Sequence, residues 1–279
     1  MKAIQITKFG GPEVMEYVAL ADPTPKSDEV LLEVTAIGIN YADTHQTENS
    51  YLSPQTLPFV PGLEVTGTVD GKRYLAAVSG GYAQKAVANK QMLFPIPDEV
   101  SDNEALCMLV QGATAWHILK TVGHLKAGES VVIHAAAGGV GSLAIQLAKL
   151  WGGKVIAVTS SDEKKKLAKE LGADEVIDAN TETLQSEILR ANGGKPVDLV
   201  LEMVGGKTTD ISLEVLAPFG RMIVYGAASR SAAQVIHPTS LMGGSKTVTG
   251  FWLAHCFGNK ALLNDVIAEL FALVASRKL

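Results

Sequence analysis

The sequence is poor in cysteine, charge, aromatic side chains and long apolar runs, and each shortage excludes a class of protein. Only Cys107 and Cys256 are present. Two thiols are too few for a disulfide framework or a cysteine-rich zinc lobe, and they fit a reducing compartment. No apolar stretch approaches the roughly 20 residues that cross a bilayer. The opening residues, MKAIQITKFGGPEV, alternate like a strand and lack the apolar core of a signal peptide. A cytoplasmic protein with no membrane partner is expected. A net charge of −5 offers no basic surface to nucleic acid. What is left is an ordinary globular composition, 47% hydrophobic over 279 residues, enough for one large domain or two medium ones with a sizeable core.

Two patterns divide the chain. From Met1 to about Gln111 it reads as short strands and turns. Ala3-Ile4-Gln5-Ile6 alternates, Val30–Val34 follows Pro and Asp punctuation, and Val65–Val69 follows Pro61-Gly62. The last strand of this β-rich region is expected near Tyr82–Val87, and Ser101 is placed to cap a helix from Asp102 to about Leu109. From about Gly112 strand and helix alternate. Strands are expected at Val131–His134, Val155–Thr159, Glu175–Ile177, Leu199–Met203, Met222–Tyr225 and Thr247–Trp252. Helices fall between them, at about Val140–Trp151, Glu163–Leu171, Leu184–Asn192 and Thr208–Leu216. That sequence of elements predicts an α/β fold with a doubly wound parallel sheet of the Rossmann kind and a ligand over the carboxyl ends of the strands. The domains are drawn at 1–111 and 112–255. The remainder, 256–279, carries an amphipathic helix over about Lys260–Ser276 that can pack back on the first domain.

The second region is organised around Ser130–Thr159, SVVIHAAAGGVGSLAIQLAKLWGGKVIAVT. Buried strand, small-residue turn, helix and second buried strand follow one another as a β-α-β unit. In the turn, Ala137, Gly138, Gly139, Val140 and Gly141 can bring backbone N–H groups to a pyrophosphate, helped by the partial positive charge of the helix start. Ala136 occupies the first glycine position of the usual fingerprint, so the strand–turn–helix–strand context carries the assignment. An NAD-preferring site would place an acid about 20 residues further on. This chain has Thr159-Ser160-Ser161 there, with Lys164 one helical turn later. Hydroxyls and an ammonium suit a 2′-phosphate, so Ser160, Ser161 and Lys164 point to NADPH. Lys165 and Lys166 compete for the role, and Asp162 is expected to be a helix cap.

Several segments together resemble one family: GGPEV (Gly10–Val14), GINYAD (Gly38–Asp43), LPFVPGLEVTG (Leu57–Gly67), GGYAQ (Gly80–Gln84), QGATA (Gln111–Ala115), HAAAGGVG (His134–Gly141) and ELGADEVID (Glu170–Asp178). The chain resembles the zinc-free quinone oxidoreductase group of the medium-chain dehydrogenase/reductase superfamily. The resemblance implies a GroES-like β-rich N-terminal domain followed by a Rossmann domain. It also implies an NADPH-dependent reductase acting on a quinone or an activated C=C such as an enone. Asn40, Tyr41 and Tyr51 would line the nicotinamide and substrate pocket, with either tyrosine bonding the acceptor oxygen or supplying a proton. The matching lysine is Lys164. Thr114, Val204, Gly205, Tyr225, Gly226, Ala227 and Phe251 would contact the nicotinamide half. The strand Val248–Trp252 would pair across a homodimer.

By the same resemblance, zinc-dependent relatives carry cysteine at Asn40 and histidine at Leu63. His45 and Glu64 alone do not make a metal site, so no metal is expected. Asp43 is expected to be a turn or cap residue, and His117, His124, His134, His237 and His255 show no metal-like spacing. Two departures from the family pattern stand out. The segment between Val69 and Gly80 is short, and relatives continue beyond Leu279. The second departure gives an alternative expectation: an NADPH-binding redox sensor or structural protein with little turnover.

Overall fold

A computed structural model describes residues 1–180 and 182–279. The chain divides into two compact units: Met1–Ala113 with Ala254–Lys278, and Thr114–Leu253 with Leu279.

In the first unit β1 (Lys2–Ile6) and β2 (Met15–Ala19) form an antiparallel pair. A five-stranded sheet follows, built from β3 (Glu29–Ile37), β4 (Glu64–Val69), β5 (Lys72–Ala77), β6 (Lys85–Asn89) and β7 (Leu93–Pro95) in the order β6-β3-β4-β5-β7. Its core is built of Leu32, Val65, Ala76, Ala86 and Ala88. Helix α1 (Tyr41–Thr47) leaves the end of β3. The expected last strand near 82–87 lies later, at β6, and the short edge strand β7 follows it. Tyr82 is already committed, its amide donating to the Pro61 carbonyl and its hydroxyl to Asp43, so pairing with β3 begins only at Lys85.

Ser101 caps α2 (Asp102–Leu106) as expected, its amide and hydroxyl both donating to Glu104 Oε2. The helix ends three residues early. A π-helical turn, Met108–Gly112, takes over where the Val110 amide leaves the helical ladder to donate to Glu64. Such turns concentrate at functional positions.

Helix α3 (Ala113–Leu119) leads to the second unit, a six-stranded all-parallel sheet. Its strands are β8 (Ser130–Ile133), β9 (Lys154–Thr159), β10 (Glu175–Asp178), β11 (Val197–Glu202), β12 (Leu216–Val224) and β13 (Thr247–Gly250), in the order β10-β9-β8-β11-β12-β13. The crossovers run through α4 (Gly139–Leu150), α5 (Asp162–Glu170), α6 (Leu184–Ala191), α7 (Lys207–Glu214) and the short α8 (Pro238–Met242). Strand order reverses between β8 and β11, which is where a doubly wound sheet takes its ligand. Val131, Val132 and Ile133 are fully buried, as a strand covered on both faces requires. β13 stops at Gly250, two residues before the expected end. The Phe251 amide still donates to Val224, and the chain then turns into a 3-10 segment at Leu253–Cys256. Last comes α9 (Asn264–Ala275), which belongs to the first unit and buries Val266, Ile267, Leu270, Phe271 and Val274. The α/β class and the doubly wound sheet are those the sequence predicts.

Candidate functional site

In the second unit the turn between β8 and α4 forms a backbone cradle. Gly138 is the N-cap of α4, so Gly139, Val140 and Gly141 fill its first turn, where amides have no intrahelical acceptor. Gly138 and Gly139 are exposed, Ala137 and Val140 half-buried, and Gly141 buried. A Cβ on Gly141 would lie 2.5 Å from the Ala135 carbonyl oxygen and 2.7 Å from Ala136 Cα. Only glycine lets the helix start approach the turn so closely. Ala136 itself is fully buried, and Ala135 takes the left-handed conformation at φ 49°.

At the end of β9 the competing lysines separate. Lys165 pairs with Asp178 at 2.8 Å and with Asp162, and Lys166 reaches Glu170 at 3.8 Å. Lys164 is exposed, and its ammonium has no partner among the described residues. Ser160 is exposed beside it, and the buried Thr159 hydroxyl is unpartnered among the described residues. Ser161, not Asp162, is the cap of α5: its hydroxyl accepts from the Lys164 amide at 3.3 Å, and Asp162 is the first helical residue. A serine hydroxyl reaches back to an amide two or three positions on more readily than a residue already inside the helix.

Beyond β11 one buried carboxylate organises two loops. Glu202 Oε1 accepts from the amides of Val204 (2.8 Å) and Gly205 (3.0 Å), and Oε2 accepts from the Thr209 hydroxyl at 2.8 Å. The loop after β12 is laced to it, with Tyr225, Ala228 and Ser229 amides donating to the carbonyls of Glu202, Met203 and Val204. Val204, Gly205, Tyr225, Gly226 and Ala227 therefore form one hydrogen-bonded rim. Burial, then the nearby Glu202 charge, pushes the Tyr225 phenol pKa upward. Thr114 is buried in the first turn of α3, and Phe251 stacks on His117 with ring centroids 5.5 Å apart.

The first unit gathers a second polar cluster. Asn40, 7% exposed, caps α1, and its amide nitrogen Nδ2 donates to Glu64 Oε1 at 2.9 Å. Glu64, 1% exposed, also accepts from the Val110 amide through Oε2 at 2.8 Å. Burial pushes its carboxyl up to about 7, against the pull of the Asn40 and Val110 donors. Gln111 Nε2 donates to Asn40 Oδ1 at 3.4 Å. Asp43 Oδ2 accepts from the Asn40 amide and the Tyr82 hydroxyl, both at 2.8 Å. Asp43 is thus the expected cap residue, and burial raises its carboxyl as well. Tyr41, 49% exposed, and Tyr51 flank His45, with ring centroids at 5.6 and 6.3 Å.

The sequence did not flag Glu64, Gln111 or Glu202 as structural anchors. An acid within a largely apolar buried strand, as Glu202 in VDLVLE and Glu64 in LEVTG, is the available signal, because a buried charge must be paired. Both Glu64 oxygens and the Asn40 amide are engaged with each other and with the π-helical turn. No cluster of three metal-ligating side chains occurs among the described residues.

Residues 139–274 match a family described as zinc-binding dehydrogenase, and residues 26–78 the alcohol dehydrogenase GroES-like domain. A quinone oxidoreductase of Pseudomonas aeruginosa is 33% identical over 98% of this chain and 88% of its own length. The human quinone oxidoreductase is 31% identical over 91% of this chain and 80% of its own. Among solved structures, the Escherichia coli quinone oxidoreductase complexed with NADPH superposes with a TM-score of 0.93 at 31% identity, covering 100% of this chain and 89% of that one. A mycobacterial protein complexed with NADPH gives 0.94 at 34% identity, over 100% of this chain and 90% of that one.

Proposed function

We propose, from the premise that this chain belongs to the quinone oxidoreductase group of the medium-chain dehydrogenase/reductase superfamily, that it is a zinc-free, NADPH-dependent reductase of quinones and activated C=C bonds. The observation that carries the reading is the β8–α4 cradle, whose Gly141 leaves no room for a Cβ where a pyrophosphate needs the helix start brought close. The cofactor fits this donor set. First-turn amides of α4 take the pyrophosphate. Ser160 and Lys164, whose ammonium has no partner among the described residues, take the 2′-phosphate, with no acid at the end of β9 to favour an unphosphorylated ribose.

When bound, NADPH supplies a hydride, which with one proton reduces a quinone to a hydroquinone or saturates an enone. The protein's part is to hold and orient. The rim around Glu202 presents Val204, Gly205, Tyr225, Gly226 and Ala227 to the nicotinamide half, together with Thr114 and Phe251. Asn40 donates a hydrogen bond to the acceptor oxygen, and the Tyr41 or Tyr51 hydroxyl provides the proton. The zinc-free reading rests on the donor set: Asn40 presents a donor to Glu64, both Glu64 oxygens are taken, and Leu63 cannot ligate. The free edge of β13 suits pairing with a second copy, giving a homodimer. No described helix is long and apolar enough to cross a membrane, and the free thiols Cys107 and Cys256 suit the cytoplasm.

The test is NADPH consumption, read by the loss of its near-ultraviolet absorbance, with and without a simple p-quinone and a simple enone. Acceptor-dependent oxidation that is faster with NADPH than with NADH is the expected result. Tight NADPH binding with no oxidation by either acceptor would remove the reductase reading.

A further inference from the structure

For Asn40 to donate to an acceptor, its side chain must point in one direction. An amide has a donor end and an acceptor end that differ only by rotation. In this chain each end is held. Glu64 Oε1 accepts from the Nδ2 end at 2.9 Å, and Gln111 Nε2, which can only donate, meets the Oδ1 end at 3.4 Å. The Asn40 backbone is pinned separately, by Asp43 Oδ2, which Tyr82 supports in turn. Glu64 is itself fixed by the Val110 amide, a donor made available by the π-helical turn. Gly38 completes the arrangement: a Cβ there would lie 2.4 Å from Glu64 Cγ and 2.5 Å from Oε1. One Nδ2 hydrogen goes to Glu64, and the other has no partner among the described residues.

We infer that Glu64 is a positioning residue for Asn40, fixing the amide so that its second Nδ2 hydrogen is presented to the acceptor oxygen, with Val110 and Gly38 holding Glu64 in place. The inference rests on the proposed role of Asn40 in reduction. One Glu64 oxygen is engaged by Asn40 and the other by the Val110 amide. Its influence on the Asn40 amide passes through the bond to Nδ2, so a loss of turnover that vanishes in the Asn40→Ala background separates it from a structural role.

The experiment is a double-mutant cycle on the full chain, with Asn40→Ala, Glu64→Gln and the pair, read as kcat with a p-quinone at saturating NADPH and as NADPH Kd. Glu64→Gln keeps the volume but puts an NH₂ against either Asn40 Nδ2 or the Val110 amide, so one bond is lost. Each single variant is expected to lower kcat by about tenfold to a hundredfold, the scale for a misaligned site group, with NADPH Kd changed less than about twofold. The double variant should be no slower than Asn40→Ala alone. Additive losses, or an unchanged kcat in Glu64→Gln, would overturn the inference while leaving Asn40 in the site. An unchanged kcat in Asn40→Ala would instead remove the site reading and this inference with it.

A second readout needs no turnover. In 15N-labelled protein the Asn40 side-chain amide signals, identified by their loss in Asn40→Ala, should move in Glu64→Gln and in Glu64→Asp, whose shorter arm cannot reach both donors. Signals that stay in place in whichever of these variants folds would equally overturn it.

Discussion

Lys164, Lys165 and Lys166 are indistinguishable as letters, and the fold separates them by what each already holds. Lys165 is spent on Asp178 and Asp162, Lys166 leans on Glu170, and Lys164 is left with an exposed ammonium that has no partner among the described residues. Lys164→Ala should therefore raise the NADPH Kd by about tenfold or more, in line with roughly 1.5–3 kcal/mol for a hydrogen bond to a charged group, and leave the NADH Kd nearly unchanged. Lys165→Ala should leave the ratio of the two constants as it is. Fluorescence titrations of both variants with both cofactors check this, and equal losses for NADPH and NADH in Lys164→Ala would move the 2′-phosphate contact elsewhere. Ser160 and Lys164 could be offered as candidates from the sequence because the residues at one strand end bear on cofactor preference. Glu64 was not, because its partners lie 24 and 46 residues away, at Asn40 and Val110. No local pattern carries such a pairing.

At the scale of elements, a start with a capping residue was legible, whereas β12, expected from Met222, begins at Leu216 and α9, expected from about Lys260, begins at Asn264. The Ser101 cap of α2 is visible as a capping residue, whereas the cap of α5 expected at Asp162 is Ser161, and α2 stops early because a distant carboxylate draws the Val110 amide out of the ladder. The shortened segment between Val69 and Gly80 has a plain structural account that the sequence reading overlooked. Asp70 and Gly71, at φ 49° and 75°, form a two-residue turn that pairs β4 with β5 in unbroken register from Glu64↔Ala77 to Val69↔Lys72. Both φ values are positive, the type I′ geometry that an Asp-Gly pair favours. A Cβ on Gly71 would meet nothing within 4 Å. The cost of Gly71→Ala is thus purely conformational, about 1 kcal/mol for an L-residue held in the left-handed region. Denaturant unfolding should show that loss, while Gly71→Asn, which tolerates this conformation, should recover most of it. A loss several times larger would mean that the turn carries contacts beyond its own backbone.

Across the whole molecule, the two units carry buried titratable groups shifted so that their pH responses oppose each other. In the first unit Glu64 rises from 4.5 to about 7, and Asp43 is raised as well. Between those two values the folded state keeps a proton on Glu64 that the unfolded chain has released, so stability falls as pH rises through the window. In the second unit burial lowers His134 from 6.5 to about 4, its Nε2 held by the Ser212 hydroxyl at 2.9 Å. There the unfolded chain takes up a proton that the folded state refuses, so stability falls as pH drops from 6.5. Each effect is on the order of 3 kcal/mol at the end of its window. The lowered carboxylates Asp102 and Asp174 do not interfere, because their contributions are lost only below the ordinary carboxylate range. Hydrogen exchange followed by peptide, corrected for intrinsic rates, should show β4 and β5 better protected at about pH 5 than at about pH 8, and β8 and β11 the reverse. Glu64→Gln should flatten the first response and leave the second untouched. Parallel changes in both units would show that opening is set by something common to the whole chain, and the opposition inferred from Glu64 and His134 would fall.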